Sequence, residues 1–489
     1  MIEAPVDCES DNQSAPVTPA SRGRTWCAAG LVVLVLAVSA ATHGVFLWSS
    51  LQDPAVRQIE PDSRGYLTLG ENLRTGKGFA REVRLSPDES PRWLTELCRT
   101  PGYPGVLALL GMLTGDAQRA VVVLQNIIAV ALCGLIVWVA YRRFGGAAGL
   151  LAALLLVLDV QGAGLSSLVL TDSPYGVILC GATLLLVRGL ERGTSKELVI
   201  AGVIIGLSGL VRPTSMFLGI VLPLAMLVEI AWRRRWAQLR GLVAFAVLVN
   251  GIMGAWVLRN GLKTGDYTLS SVGRSNLMSW HAPGALHRAE GCSVDEAERR
   301  IAAEVGLSPT YVRAHPLTSE EKERLGSVLR RILREYPKAF AIDWAYQTAK
   351  MVAAPDKLVL KPLGIQPGGL PTRGRSDAGQ MGDTSWLGWV LWLWQIPYML
   401  VVLVLFAWGV WRNVRHWRLP PAVWVPLLVT LYVLGVSSGS PGDGRFRWPV
   451  LPLMILVGVS GLALRRDHTA ESPGAREAAG EPATAEAVA

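Results

Sequence analysis

The sequence predicts an all-α, polytopic integral membrane protein with about ten transmembrane helices. Of its 489 residues, 51% are hydrophobic and only 17% are charged, and the mean hydropathy is +0.35. A water-soluble domain of this length does not show such a balance. Apolar runs recur along the chain at about the length, roughly 20 residues, that a helix needs to cross the hydrocarbon core.

The apolar runs fall into a group of seven and a later group of three, separated by a long polar segment. They lie near residues 26–48, 119–141, 147–168, 173–190, 198–211, 214–232, 239–258, 386–411, 420–437 and 447–464. The first run is too long for a cleaved signal peptide, so it predicts a retained first helix.

The Lys and Arg residues predict the orientation of these helices. They cluster in alternate connections, at Arg142, Arg143, Arg188, Arg192, Lys196, Arg233, Arg234, Arg235, Arg240, Arg412, Arg415, Arg418, Arg465 and Arg466. Positive charge accumulates in short cytoplasmic loops, so both termini are expected in the cytoplasm, with the protein in the plasma or inner membrane. The net charge of +9 is therefore a topology signal, and no nucleic-acid partner is expected, since no single basic face is formed.

Five regions follow from this topology. They are a cytoplasmic disordered tail at 1–25, an N-terminal transmembrane module at 26–258 with an extracytoplasmic loop at 49–118, an extracytoplasmic segment at 259–385, C-terminal transmembrane helices at 386–464, and a cytoplasmic disordered tail at 465–489. The first tail is polar and rich in Ser, Pro and Asp, and the second consists mainly of Ala, Glu, Gly and Pro without periodicity. Amphipathic patterns predict helices near 293–304 and 318–335. A third, from Pro337 to Ala353, either lies flat on the membrane or packs as an ordinary helix.

Several charged residues stand where predicted helices meet the extracytoplasmic surface. These are Asp62, Arg99, Asp172, Arg212, Arg259 and Arg447. Ionisable groups at membrane depth are costly and are usually kept for a site or satisfied by a partner. Interfacial snorkelling explains any single arginine of this set. It does not explain the whole set, because the charge rule would place such arginines on the cytoplasmic side, so the set predicts a convergent site.

Two short motifs lie in the first extracytoplasmic loop. Asp62 stands in PDSRGY and opens a short helical stretch, where an aspartate either carries chemistry or simply caps the helix. Arg99 begins RTPGYP, in which two prolines bracket Gly-Tyr and predict a rigid turn at the membrane surface.

An ordered series of motifs gives the sequence a family resemblance. In chain order they read PDSRGYLTLGENLRTGKGF, RTPGYPGVLALL, YRRFGGAAGLLAALLLVL, SSLVLTDSPYGVILCGATLLL, GLVRP, WVLRNGLKTGDYTLSS and GDGRFRWPVLPLMIL. Over roughly residues 30–465 the chain resembles the polytopic glycosyltransferases with the GT-C fold, in particular relatives of protein O-mannosyltransferases and of aminoarabinose transferase. The resemblance implies a polyprenyl-phosphate-linked sugar donor, transfer on the outer side of the membrane and inversion at the anomeric carbon.

The topology also favours a lipid-linked donor. A nucleotide-sugar donor normally requires a soluble nucleotide-binding α/β domain in the cytoplasm, and the predicted cytoplasmic loops are too short for one. With a phosphate leaving group, the protein mainly needs cations to hold the phosphate and a carboxylate to take the acceptor's proton. The acceptor stays open between a protein, a cell-envelope glycan, a lipid and a secreted natural product.

The resemblance also assigns roles to residues. It implies Asp62 as the general base and Asp172 as a second acidic group that orients the acceptor or a metal. Arg99, Arg212, Arg259 and Arg447 are candidates for the lipid phosphate, since a guanidinium offers paired hydrogen bonds, and Arg445 is an alternative to Arg447. Tyr66, Tyr103 and Asn260 either bind sugar or acceptor or pack. Many family members carry two adjacent acidic residues in the first loop. Here Ser63 follows Asp62, so a divalent metal is possible but not clearly implied.

Two other functional classes stay open. A lipid or sugar transporter, or a flippase, predicts ionisable residues or broken helices near the middle of several spans, and Asp159 and Glu229 lie nearer helix ends. An envelope polysaccharide polymerase or ligase shares the lipid-linked donor, but the motif order disfavours it.

The six cysteines show no zinc or CxxC spacing. Cys98 and Cys292 are the two expected in extracytoplasmic segments, where they are either bonded to each other or free.

Overall fold

A computed structural model describes residues 19–59, 61–83, 90, 92–365, 386–417, 419–439 and 441–465. Residues 1–18 and 466–489 of the two predicted disordered tails lie outside these residues, whereas residues 19–25 of the first tail belong to a helix. The end of the predicted extracytoplasmic segment, residues 366–385, also lies outside the described residues.

Helices dominate the described chain. The α-helices are α1 Pro19–Gln52, α2 Asp62–Arg74, α3 Gly102–Thr114, α4 Ala117–Phe144, α5 Gly146–Val157, α6 Val160–Ser166, α7 Asp172–Arg192, α8 Ser195–Val211, α9 Leu218–Trp232, α10 Leu239–Thr264, α11 Val272–Asn276, α12 Ala282–Glu290, α13 Val294–Val305, α14 Pro309–Ala314, α15 Ser319–Glu335, α16 Pro337–Ala353, α17 Trp386–Arg415, α18 Pro421–Ser437 and α19 Leu451–Ser460. A π-helical turn covers Leu277–His281. Short 3₁₀ helices cover Ala55–Arg57, Pro213–Ser215, Trp236–Gln238, Lys357–Leu363, Gly444–Val450 and Gly461–Arg465.

The prediction of several membrane-spanning helices is confirmed, although their number is not. Seven helical segments are long and apolar enough to cross a membrane: Trp26–Gln52, Ala117–Phe144, Asp172–Arg192, Pro213–Trp232, Trp236–Thr264, Gly388–Arg415 and Gly444–Ala463. The pair α5 and α6, bent by 52°, would make an eighth. The predicted runs at 198–211 and 420–437 coincide with α8 and α18, which have 17 residues each. Every predicted run is thus helical, but the helix lengths do not establish ten crossings.

The bend between α5 and α6 is fixed by the capping of α6. The Asp159 carboxylate accepts hydrogen bonds from the backbone N–H of Gln161 at 3.0 Å and from Nε1 of Trp448 at 3.0 Å. A capping aspartate satisfies an N–H that the break would leave unpaired. Among the described helices this is the single apolar pair bent by more than 40° at a short break, whereas the transporter alternative predicted several such breaks.

A small β-hairpin, which the all-α prediction did not include, lies in the first loop. Strand β1, Ala80–Val83, pairs antiparallel with β2, Arg92–Thr95. Nε of Arg81 lies 2.9 Å from the carboxylate of Glu96, directly after β2. The other Glu96 oxygen accepts hydrogen bonds from the backbone N–H groups of Cys98, at 2.6 Å, and Arg99, at 3.0 Å. The hairpin therefore holds the turn that carries Arg99.

Helices α12 to α15 and the start of α16 enclose a second hydrophobic core, separate from that of the transmembrane bundle. The helices predicted near 293–304 and 318–335 are present as α13 and α15. Ser293 caps α13 by accepting from the N–H of Glu296 at 3.1 Å. At the start of α15, Thr318 and Glu321 form a complete capping box. These caps explain why both helices begin where the sequence predicts.

Three of the arginine-rich connections meet at one end of the bundle. Arg143 pairs with Glu191, Nε of Arg188 lies 3.5 Å from Glu197, and Arg235 donates to the carbonyl oxygen of Leu190 at 3.0 Å. Asp172 stands at the start of α7 and these contacts at its end. A helix of 21 residues is about 30 Å long. The predicted site residue Asp172 and the arginine clusters therefore lie at opposite ends of the bundle, and which end faces the cytoplasm stays a prediction.

Candidate functional site

Asp62 lies between two arginines that come from distant parts of the chain. It is the first residue of α2, after Pro61. Its carboxylate is 3.2 Å from Nη2 of Arg445 and 3.6 Å from Nη2 of Arg99. Its side chain is 30% exposed, so a substrate can reach it. Within the described chain the carboxylate accepts no hydrogen bond from a helix N–H, so the alternative of a simple N-cap has no support in the geometry.

Arg99 is fixed on the surface of α2. Its guanidinium donates to the carbonyl oxygen of Pro61 at 3.2 Å and lies over the ring of Tyr66, 5.1 Å from the centroid. Gly65 makes this approach possible, because a Cβ there would stand 2.4 Å from Cζ of Arg99. The RTPGYP turn and the glycine of PDSRGY therefore act together to place one cation beside Asp62.

Arg445 provides the second cation. It lies in the 3₁₀ helix before α19, and its side chain is 12% exposed. Besides Asp62, its guanidinium is 3.7 Å from Asp443 and interacts electrostatically with Asp172. It also lies 4.9 Å from the ring centroid of Phe446. Arg445 thus connects the two predicted carboxylates.

Asp172 and Arg212 form a second, more deeply buried ion pair. The Asp172 side chain is 2% exposed and that of Arg212 is 16% exposed. The Arg212 guanidinium lies 6.0 Å from the ring of Tyr175 and 5.1 Å from the ring of Phe446. Because Arg445 lies against the same Phe446 ring, the two Asp–Arg pairs belong to one cluster.

The charges around Asp62 determine its protonation state. Burial by itself would raise the pKa of the Asp62 carboxyl, but the charges of Arg445 and Arg99, a hydrogen bond from Arg445 and the charge of Arg313 together lower it. The carboxylate is therefore ionised at neutral pH. A carboxylate with a lowered pKa is a weak base as long as the arginines face it.

Tyr66 and Tyr103 link the first loop to the bundle. Their rings pack edge to face with centroids 5.2 Å apart. The Tyr103 side chain is buried and its hydroxyl donates to Gln125 at 2.8 Å. Tyr66 contacts Arg99, and its hydroxyl lies close enough to interact with the side chain of Thr171, beside Asp172. Tyr103 therefore has the contacts of a packing residue, while Tyr66 joins Arg99 to the start of α7.

Three predicted site residues lie outside this cluster. Arg259 donates to Asn260 at 2.9 Å and lies over the ring of Trp256, 4.6 Å from the centroid. Asn260 is fully buried and donates to the carbonyl oxygen of Thr268 at 2.8 Å. Arg447 is 1% exposed. The guanidinium of Arg447 donates to two backbone carbonyl oxygens, those of Met351 at 2.9 Å and Ala354 at 2.6 Å.

The sequence reasoning did not identify Arg313, Phe446 and Tyr175 as site residues. Tyr175 follows Asp172 by three positions on α7, so helical spacing alone places both on one face. Phe446 adjoins the candidate Arg445. Arg313 lies in α14 and acts on Asp62 through its charge, and its sequence surroundings give no signal for this.

The residues of the cluster do not suit a divalent metal. Metal ions of this kind take several carboxylate, carbonyl or water oxygens, whereas both carboxylates here face guanidinium groups. In the described part of the chain no three His, Cys, Asp or Glu side chains are grouped so that they could hold a metal ion. Cys98 and Cys292, the possible disulfide partners, are both free thiols.

Residues 99–253, about a third of the chain, match the family model described as dolichyl-phosphate-mannose-protein mannosyltransferase. The matched segment begins at Arg99 and contains Asp172 and Arg212. No curated protein matches the sequence significantly.

Three solved structures are similar to this chain to different degrees, and AglB supports a shared fold. The archaeal oligosaccharyltransferase AglB from Archaeoglobus fulgidus, in complex with an inhibitory peptide and a dolichol-phosphate, is 14% identical with a TM-score of 0.51, over 95% of this chain and 53% of AglB. This chain therefore spans about half the length of AglB. ArnT from Cupriavidus metallidurans, bound to undecaprenyl phosphate, gives 13% identity and a TM-score of 0.40 over 90% of this chain and 79% of ArnT. The arabinosyltransferase EmbB from Mycobacterium smegmatis is 11% identical with a TM-score of 0.34, over 88% of this chain and 41% of EmbB. The chain is thus a polytopic membrane protein of the GT-C fold, and its residues 99–253 are similar to the family described as dolichyl-phosphate-mannose-protein mannosyltransferase.

Proposed function

We propose that the chain is a glycosyltransferase that moves a sugar from a polyprenyl-phosphate-linked donor to an acceptor. One observation carries the proposal: a partly exposed carboxylate, Asp62, lies between the guanidiniums of Arg99 and Arg445. A base beside fixed cations suits a reaction in which a phosphate leaves as an acceptor loses a proton. The description of the matched family and the dolichol-phosphate in the AglB complex support a donor of this class.

The reaction is a single displacement. The acceptor's nucleophile attacks the anomeric carbon on the face opposite the phosphate, and Asp62 takes the proton as the new bond forms. The bond between the anomeric carbon and the phosphate oxygen breaks, and its electron pair leaves with the lipid phosphate. Attack from the opposite face inverts the anomeric configuration.

The arginines would bind the phosphate in the donor and stabilise the charge that develops on it. Arg99 and Arg445 are the closest cations to Asp62, so we assign Arg445, in place of the buried Arg447, as the phosphate ligand from this segment. A donor phosphate that draws these guanidiniums toward itself would weaken their hold on Asp62. The pKa of Asp62 would then rise, so the base would become stronger only once the donor is bound.

Asp172 would act on the reaction through Arg212. It is almost fully buried and faces that arginine, so its position suits holding the guanidinium in place better than touching the acceptor. Arg212 is the more exposed of the two and reaches the shared Phe446 ring. A cation held in this way loses little freedom when it binds a phosphate.

The proposed site faces away from the cytoplasm. It lies at the opposite end of α7 from Arg188 and Arg192, and the positive-inside rule would place those arginines in the cytoplasm. Both termini would then be cytoplasmic, and the acceptor would be an extracytoplasmic protein, glycan, lipid or secreted natural product.

The test is a transfer assay with the purified protein in lipid nanodiscs. It would compare polyprenyl-phosphate donors carrying different radiolabelled sugars with nucleotide sugars, each with membrane extract as the source of acceptors. We expect transfer only from a lipid-linked donor, with an inverted product. Transfer from nucleotide sugars would contradict the proposal, as would movement of the lipid across the bilayer without a new glycosidic bond. Long products grown from the donor sugar itself would indicate a polymerase instead.

A further inference from the structure

A cleft of about 600 Å³ opens at the other end of the bundle, away from Asp62. Helices α4, α7, α18 and α19 all contribute to its lining. Its walls are apolar and include Leu135, Trp138, Leu184 and Leu456. Leu135 is 42% and Trp138 is 36% exposed. On helices that cross a membrane, such side chains face lipid chains, so the cleft opens toward the hydrocarbon region.

Gly181 shapes the inside of this cleft. It lines the cleft on α7, and a Cβ at this position would meet no atom within 4 Å. The space above Gly181 is therefore open. By contrast, a Cβ at Gly189, further along α7, would stand 2.8 Å from Leu198. The cleft has the size of pockets that hold ligands, about 300 to 1,000 Å³.

Four arginines line the end of the cleft where α4 and α7 finish: Arg142, Arg143, Arg188 and Arg192. Arg143 pairs with Glu191, and Nε of Arg188 lies 3.5 Å from Glu197. Arg142 lies over the ring of Trp138 at 5.4 Å. In the described residues no carboxylate lies within ion-pair distance of Arg142 or Arg192, and none lines the cleft.

Part of the positive charge of these four arginines has an ordinary explanation. Cations are favoured at helix C-termini and in cytoplasmic loops, which accounts for arginines on each helix separately. Neither effect accounts for arginines of two helices at one apolar cleft, where, among the described residues, Arg142 has no carboxylate within ion-pair distance and Arg192 has only the more distant charge of Glu197. An apolar cleft with an excess of guanidinium groups at its mouth is complementary to a lipid with an anionic phosphate headgroup.

We propose that this cleft binds an anionic phospholipid of the bilayer, with an acyl chain along the apolar walls and the phosphate beside Arg142 and Arg192. The proposed phosphate position is distinct from the proposed donor site, since Arg192 and Asp172 lie at opposite ends of α7, about 30 Å apart. The bound lipid would fill the gap between α4 and α18 and tie these helices to α7.

The test measures lipid retention by native mass spectrometry on the purified full-length chain. Phosphatidylglycerol, phosphatidylcholine and an undecaprenyl phosphate would be titrated separately. We expect phosphatidylglycerol to be retained in preference to phosphatidylcholine. Arg142→Gln and Arg192→Gln should each weaken its binding about fivefold, as expected for one surface cation. Gly181→Leu should abolish retention without changing the charge, because the side chain would occupy the open space.

The matched control is Arg415→Gln. Arg415 also stands at the end of a spanning helix and lies over a tryptophan, Trp411, at 5.2 Å, but it does not line the cleft. This variant should bind phosphatidylglycerol like the parent. Equal retention of phosphatidylcholine, an equal loss in Arg415→Gln, or a preference for undecaprenyl phosphate would each overturn the proposal. Melting temperatures without added lipid would show whether each variant is folded, and a folded Gly181→Leu variant with normal retention would also overturn it.

Discussion

Nη2 of Arg445 lies 3.2 Å from Oδ2 of Asp62, although 383 positions separate the two residues in the sequence. The contact joins the first loop to the segment that opens the last helix. Neither part forms the site alone, because Asp62 without Arg445 would lose the strongest of the opposing charges that keep it ionised. The proposed chemistry therefore depends on the fold of nearly the whole chain.

The Asp62→Asn variant should fold and lose activity. The substitution keeps the shape of the side chain and removes its basicity, and loss of a general base typically costs about 10²- to 10⁴-fold in rate. The measurement is the turnover number for sugar transfer, together with the melting temperature in detergent.

Asp116→Asn is the matched control for this variant. Asp116 caps α4 by accepting from the N–H of Arg119 at 3.0 Å, and asparagine caps nearly as well as aspartate. Normal transfer is expected. If Asp62→Asn retained near-normal turnover, the base would have to be a different group, with Asp172 the next candidate.

The pH profile of transfer should depend on Arg445. Its charge is the largest effect opposing burial at Asp62 and lowers the pKa of that carboxyl. In Arg445→Gln the pKa should rise, so the acid limb of the kcat/KM profile should move to higher pH. Arg119→Gln, which removes an arginine that is 61% exposed and paired with Asp116, should leave the limb unchanged.

The lowered pKa of Asp62 also makes the stability of the fold depend on pH. Because the pKa of Asp62 is lower in the folded state, its interactions stabilise that state above the carboxyl's ordinary pKa, and this stabilisation is lost as the pH falls. Arg445→Gln should make the free energy of unfolding less dependent on pH in the acidic range. An unchanged acid limb in Arg445→Gln would mean that a group other than Asp62 limits transfer.

The sequence was enough to predict the helices and some residues of the candidate site. Long apolar runs predicted the spans because hydrophobic length is a direct physical requirement of the bilayer. Asp62 and Arg99 were found through short motifs whose prolines and glycine fix the local backbone. The β-hairpin was missed because its strands, AREV and RWLT, are four residues each and lack an alternating apolar pattern.

The choice between Arg445 and Arg447 could not be made from the sequence. Both lie in one short 3₁₀ helix, where residues two positions apart point to different faces because a turn takes three residues. Tertiary packing decides which one meets Asp62. Likewise, Asn260 has the side chain of a sugar ligand, but its amide is used by the carbonyl of Thr268 in the turn after α10.

Gly65→Ala tests the placement of Arg99. The new Cβ would stand 2.4 Å from Cζ of Arg99, so the guanidinium must move while the helix itself accepts alanine. We expect a stable protein whose kcat/KM falls roughly tenfold, about the loss of one hydrogen bond to a charged group. Gly105→Ala in α3 is the control, because a Cβ there meets nothing within 4 Å, and it should transfer normally. Equal effects of the two variants would contradict a role for Arg99.

The orientation of the chain can be tested with single cysteines in a cysteine-free background. Glu320 in α15 has a side chain that is 82% exposed, and Trp417 after α17 is 93% exposed. A membrane-impermeant maleimide applied to intact cells should label Glu320→Cys. Trp417→Cys should react only after the cells are permeabilised. The reverse pattern would place the Asp62 cluster in the cytoplasm and remove the argument for an extracytoplasmic acceptor.

A double-mutant cycle on Asp172 and Arg212 separates stability from catalysis. Asp172 is almost fully buried and faces Arg212, so Asp172→Asn leaves a largely buried guanidinium without its partner charge. Breaking a buried ion pair in this way costs about 3 to 5 kcal/mol, and Arg212→Gln should destabilise the protein for the same reason.

The double variant Asp172→Asn/Arg212→Gln removes both charges, so its melting temperature should recover most of the loss seen in the single variants. Its activity should not recover. If Arg212 contacts the donor phosphate, both kcat and donor affinity stay low whenever the guanidinium is absent, because a phosphate contact acts before and during transfer. Recovery of transfer along with stability would show that the pair only supports the fold, and Arg99 and Arg445 would then be left as the phosphate ligands.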